Sequence, residues 1–252
     1  MILTSKNNPL IKETAALKEK KGRREQGAFL VEGVKMVREC QKSGLEIEKI
    51  FLTPTFQENN SSEVFDEEKL VLVSDDVMLR ISDEKTPQGI VARVKIPEKK
   101  LGKPQGKCLL LDGVSDPGNV GTIIRTANAA GYEEIYLTEE CADPYSPKSV
   151  RASMSGIFFT KIHRATRDEV LSVLSDTPIV VADMGGVNVF SFHAPKRFAL
   201  AIGNEANGIS QAVRNRAAHT VKIPMQATQE SLNAAISAGI IMYVLSKDEF
   251  QQ

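Results

Sequence analysis

Residues 108–131 read CLLLDGVSDPGNVGTIIRTANAAG, and they constrain the fold more than any other stretch. An apolar run, CLLLD (108–112), reads as a buried strand. Gly113, Pro117, Gly118 and Gly121 punctuate the turn that follows, and an amphipathic helix begins there. Val120, Ile123, Ile124 and Ala127 form one apolar stripe on that helix, and Arg125 points away from it. A polar, glycine-rich bend at the carboxyl end of a buried strand is where open α/β sheets hold ligands.

The rest of the second half repeats this alternation. Strands are expected at 108–112, 134–138, 178–182, 198–202 and 220–223, and helices at 118–130, 147–155, 167–175 and 231–246. That order implies an α/β fold, a mostly parallel sheet with helices on both faces. The first part gives a shorter series: strands at 29–33, 49–53, 69–74 and 88–96, a helix at 34–44 stopped by Gly44, and a short helix capped by Ser74. PEKKLGKPQGK, rich in Pro, Gly and Lys, reads as a linker. The expected division is 1–97, a linker at 98–107, and 108–252.

Composition excludes several classes. Cys40, Cys108 and Cys141 form no CxxC or Cys/His cluster, so neither a disulfide framework nor a metal site is expected. No apolar run approaches a membrane span and no signal-peptide core opens the chain, which points to the cytoplasm. No G-x-G-x-x-G follows a strand. Gly203 and Gly208 have P-loop spacing, but Ile209-Ser210 stand where Lys-Ser/Thr is required.

Net charge is zero, yet it is unevenly spread. Residues 1–24 hold seven Lys/Arg against two Glu, whereas residues 54–85 hold three against nine acids. Residues 144–167 carry Lys148, Arg151, Lys161, Arg164 and Arg167 with no acid. Either basic patch alone is read most simply as a solvated surface; both beside a ligand loop point to a polyanion.

Two later segments share the logic of the first. FALAIGNEANGIS (198–210) runs a buried strand into Gly203, Asn204, Glu205 and Gly208. VKIPMQATQESLNAAISAGIIMYVL (221–245) ends a strand at Ile223, breaks it at Pro224, and offers Ser231 as cap of a last helix. That helix has apolar or small residues nearly all round, so burial on several sides is expected, with small residues suited to close approach by another chain.

Together, N-x-G-x-x-x-R (119–125), G-N-E-x-x-G (203–208) and I-P-M…S-L-N-x-A-x-A (223–237) resemble the three motifs of the SpoU/TrmH family of RNA ribose 2′-O-methyltransferases. The resemblance implies a SPOUT fold with a C-terminal trefoil knot and a smaller ribosomal-protein-like α/β domain at the N-terminus. FLVEG and TPQGIVA resemble the small substrate-binding domain of that family, and SPKSVRAS (146–153) matches another family segment. It further implies S-adenosylmethionine as cofactor, RNA as substrate, most readily large-subunit rRNA, and a homodimer. By position, Asn119, Arg125, Glu205, Ser231 and Asn233 match the catalytic set, and Gly203, Gly208, Ile223, Met225 and Leu232 would contact the cofactor. Arg23, Arg24, Lys148 and Arg151 are the expected RNA contacts. The family proposal makes Arg125 the base that takes the 2′-hydroxyl proton; a guanidinium that grips phosphate and steadies an alkoxide is the conservative alternative. A tRNA methyltransferase, a non-catalytic RNA-binding or ribosome-assembly protein, and a small-molecule α/β enzyme stay open as rivals.

Overall fold

A computed structural model of the chain describes residues 2–60, 64–98, 100–228 and 231–250. The chain divides into two compact units, Met1–Glu98 with Tyr145–Phe158, and Lys99–Pro144 with Phe159–Gln252.

The first unit runs α1 (Pro9–Ala16), α2 (Lys20–Gln26), β1 (Ala28–Glu32), α3 (Val34–Lys42), β2 (Ile47–Leu52), α4 (Pro54–Asn59), β3 (Leu70–Leu72), α5 (Asp75–Ile81) and β4 (Ile90–Lys95). Its sheet has the order β1-β4-β2-β3, with β4 antiparallel to β1 and β2, and β3 parallel to β2. Side chains of Asn8, Thr53 and Ser74 cap α1, α4 and α5. Ile11, Leu17, Phe51, Val77 and Val91 belong to its core.

Arg23 corrects an expectation. It is 4% exposed, and its guanidinium donates to the carbonyls of Leu17 and Lys18 at 2.8 Å, just past the end of α1. Those carbonyls lack helical partners, so the side chain is used inside the fold and is not available to RNA.

The chain continues with β5 (Cys108–Asp112), α6 (Pro117–Ala129), β6 (Glu134–Thr138), α7 (Pro147–Ser153), α8 (Gly156–Phe159), β7 (Lys161–Ala165), α9 (Arg167–Val173), β8 (Ile179–Asn188), β9 (Ala199–Gly203), α10 (Gln211–Arg214), β10 (Ala217–Lys222) and α11 (Ala234–Leu245). α7 packs with the first unit: it lies against β1, and Tyr145 stands 5.0 Å from the Phe29 ring.

The sheet of the second unit has the order β10-β8-β9-β5-β6-β7, and all its pairs are parallel. Every residue of β5 and β6 is buried, as expected of parallel strands covered on both faces. Leu101 packs on this core and Tyr136 Oη donates to the Gly102 carbonyl, so the segment before β5 is fastened to the second unit.

Two helix expectations are corrected. Asp116 caps α6 as a helix start requires, but α11 begins at Ala234, capped by Asn233, whose Oδ1 accepts from Ala235 N and Ile236 N. Ser231 lies in the preceding loop and is not the cap. α11 also buries only one side, Ala235, Ala238, Ile241 and Met242, while Ile236 and Tyr243 are 56% and 45% exposed.

Candidate active site

Because all six strands of the second unit are parallel, their carboxyl ends share one edge. There a cavity of about 440 Å³ is lined from four segments: Ala182–Met184 of β8, Ile202–Glu205 with Gly208, Val221–Ile223 with Met225, and Ser231–Ala234 with Ser237 and Ile241. Eight of the residues singled out in the sequence line it: Gly203, Glu205, Gly208, Ile223, Met225, Ser231, Leu232 and Asn233. Ile202, Val221 and Ile241 give it an apolar wall, and loop peptides give it backbone donors and acceptors without ladder partners.

Gly203 is required by close approach. A Cβ there would stand 2.3–2.5 Å from Gly208 C, Gly208 O and Ile209 N. Mutual backbone bonds between Asn204 and Gly208 at 3.0 and 2.9 Å close the loop on itself. The Asn204 side chain pins it further, accepting from Ala206 N and Asn207 N and donating to Gly113 O.

The three motifs meet in one relay. Glu205 Oε1 accepts from Asn119 Nδ2 at 2.8 Å, and Asn119 Oδ1 accepts from Asn233 Nδ2 at 3.0 Å. Glu205 also accepts from Ser115 N, Ser115 Oγ and Asp116 N at 3.0, 2.9 and 3.2 Å. Its carboxylate therefore sits at the start of α6, where free N–H groups favour a negative charge. Burial works to raise the Glu205 pKa, but the bonds from Asn119 and Ser115 outweigh it and bring it down to about 2. Such a group stays ionised and acts as an acceptor rather than as a base at neutral pH.

Arg125, on α6, is exposed, makes no hydrogen bond or ion pair among the described residues, and does not line the cavity. Of the expected RNA contacts, Lys148 and Arg24 are exposed. Arg151 is engaged by Asp83 at 2.8 Å and Glu84 at 3.0 Å.

Sequence reading missed Asp183, Met184, Lys222 and Ser237 in the cavity wall. The signal for the first two was weak, because the strand pattern stops at 182 while β8 continues to Asn188 along β10. Among the described residues, no group of three or more His, Cys, Asp or Glu could hold a metal, and no helix is long and apolar enough to cross a membrane.

Comparison with known proteins follows the same outline. The model of the SpoU rRNA Methylase family matches residues 106–243, and that of the MRM3-like substrate binding domain matches residues 8–92. The 23S rRNA (guanosine(2553)-2′-O)-methyltransferase RlmP of Bacillus subtilis (strain 168) is 30% identical over 96% of this chain and 98% of its own length. An AdoMet-bound rRNA methyltransferase from Sinorhizobium meliloti superposes with a TM-score of 0.87 at 29% identity, covering 100% of this chain and 99% of that one. The SpoU methyltransferase AviRb of Streptomyces viridochromogenes, solved with the cofactor AdoMet, gives 0.87 at 28% identity over 97% and 99%.

Proposed function

The chain belongs to the SpoU rRNA methylase family, and on that footing we propose that it methylates a ribose 2′-hydroxyl of 23S rRNA with S-adenosylmethionine. One observation carries the reading: the loops of the second and third motifs line a single cavity, and Asn119 of the first motif is hydrogen-bonded in series between Glu205 and Asn233 at its wall. The residues present fit the cofactor. The apolar wall of Ile202, Val221 and Ile241 suits an adenine, and backbone groups at Gly203, Ile223 and Leu232 suit its polar edges.

Bound S-adenosylmethionine supplies an activated methyl on a sulfonium. The protein's task is to hold a ribose hydroxyl in line and to favour the charge growing on its oxygen. Asn119 and Asn233, their amides fixed by Glu205 and by the α11 cap, orient the sugar. Gly208, Met225 and Ser231 shape the pocket around them. Arg125 grips the neighbouring phosphate and stabilises the developing alkoxide, since a guanidinium with a pKa above about 12 is a poor base.

The reading extends to assembly. The exposed apolar side of α11, with Ile236 and Tyr243, is covered by a second copy in a homodimer. Thr126, beside Arg125, packs at Gly239 of α11, so Arg125 borders that face and meets the cavity of the other protomer. The carboxyl-terminal part of the chain forms a trefoil knot; tight backbone passages at Gly186 and Gly203 suit such threading. The first domain, 1–97, is ribosomal-protein-like and binds the RNA, joined by 146–153 with Lys148 and Arg151; Arg24 adds a cation; residues 98–107 link it to the methyltransferase part, 108–252. The protein works in the cytoplasm, on ribosomal RNA.

The test is a ribose-methylation map of 23S rRNA from cells with and without the gene. One 2′-O-methyl group should vanish with the gene and return with wild-type protein. An unchanged map, with the loss appearing on tRNA or on a base, overturns the assignment.

A further inference from the structure

We propose that Asp183 makes the cavity prefer the cationic methyl donor over its neutral thioether product. The inference rests on the reading of the cavity as the S-adenosylmethionine site. Among the described residues, the charged side chains of the cavity wall are Asp183, Glu205 and Lys222. Glu205 is consumed by the donors of residues 115–119. Asp183 is not used up in this way. Its Oδ1 accepts from Gly185 N at 3.0 Å and its Oδ2 from Arg214 Nη2 at 2.8 Å. An ionised carboxylate offers about four acceptor positions, so each oxygen keeps one for the cavity.

The two tethers also fix the orientation. Arg214 does not line the cavity and holds the carboxylate from outside, while Gly185 N, two residues on in β8, holds its other oxygen. These two hydrogen bonds, one from within β8 and one from Arg214, set the carboxyl group in place before a ligand arrives, which reduces the ordering cost of binding. The hydrogen bond from Arg214, followed by that from Gly185 N, lowers its pKa, so it is charged at any working pH.

Donor and product differ by one methyl group and one positive charge. Their shapes are nearly the same, so apolar packing distinguishes them poorly. A fixed negative charge at the wall distinguishes them by Coulomb attraction, which is appreciable in a partly enclosed site and reduced here by Arg214, by Lys222 of the same wall and by solvent. The consequence is kinetic: the product, having lost its charge on transfer, is held less firmly and leaves.

Calorimetric titration of the full chain tests this with three ligands: S-adenosylmethionine, S-adenosylhomocysteine, and sinefungin, which carries an amine cation in place of the methyl sulfonium. Asp183→Asn should weaken the two cationic ligands about five- to tenfold and leave S-adenosylhomocysteine within about twofold. Arg214→Ala, which keeps the carboxylate, should hold or raise the donor-to-product preference. Equal weakening of all three ligands by Asp183→Asn, no change in any, or the same fall in preference in Arg214→Ala overturns the proposal. Failure of the wild-type chain to bind any of the three is a separate result, and it removes the donor-site reading together with the proposal.

Discussion

At the carboxyl edge of the six-stranded sheet, Glu205 and Asn233 line a cavity from polar loops, and Asn119 at the start of α6 joins them by hydrogen bonds. At the opposite edge, Glu134, Tyr136, His163 and Lys161 lie at the starts of β6 and β7. Tyr136 Oη lies 2.8 Å from Glu134, its one proton shared between that carboxylate and the Gly102 carbonyl, Lys161 Nζ lies 3.3 Å from Glu134 and His163 Nε2 3.4 Å, and His163 stacks on Tyr136. Both edges gather titratable groups, and the first surrounds the cavity described above. In the second cluster Glu134 and His163 are about as buried as the core, and Glu134 is the shared partner of Tyr136 and Lys161. Titratable side chains near one another are therefore a site only where geometry leaves room for a ligand and acceptors to spare.

That contrast can be broken by substitution, and the largest effect is expected at Gly203. Gly203→Ala forces a Cβ into the Gly208–Ile209 backbone, so donor affinity should fall about a hundredfold or more by calorimetry. Wild-type affinity would show that the loop is not the cavity's frame. Glu205→Ala should lower turnover roughly a hundredfold while donor affinity stays within about threefold, since its carboxylate, though in the cavity wall, is taken up by Ser115, Asp116 and Asn119 and chiefly holds the Asn119–Asn233 relay.

Glu205 also has a pH consequence. Its folded pKa, about 2, lies below the unfolded carboxylate value of about 4.3, so its stabilising contribution is present above that value and is lost as pH falls toward 2. The stability difference between wild type and Glu205→Gln should shrink across that window, and a constant difference would refute the low pKa.

At the other edge the effect should be on stability alone. Glu134→Ala leaves Tyr136 Oη with the Gly102 carbonyl as its acceptor but removes the carboxylate beside Lys161 and His163, and should cost about 1–2 kcal/mol, or roughly 3–6 °C in Tm, with donor affinity unchanged. A change in affinity there would dissolve the contrast between the two edges. The smallest effect is expected at Arg151→Ala, where exposed ion pairs to Asp83 and Glu84 contribute less than about 1 kcal/mol by thermal melting.

The three bends were legible because glycine, proline and capping residues punctuate buried strands, and their side chains belong where strands end. The parallel sheet was legible from apolar runs such as CLLLD and FALAI. β7 was not: KIHRA alternates charge with a single apolar residue, and its burial depends on Tyr136 and Glu134 of β6. The helix cap was misplaced because Ser231 and Asn233 are both good caps, and only the turn geometry selects Asn233. Arg23 carries a charge that suggests a surface, yet unpaired carbonyls after α1 draw it inward. The β7 miss is a case in which partners distant in sequence override a local pattern, whereas the cap and Arg23 turn on backbone geometry only a few residues away.

The most direct measurement incubates the purified chain with 23S rRNA transcript and methyl-labelled S-adenosylmethionine, then digests the RNA to nucleosides. The account predicts label in a single 2′-O-methyl nucleoside, lost in Arg125→Ala. Label on a base, or none from a wild-type chain that binds the donor, would contradict it.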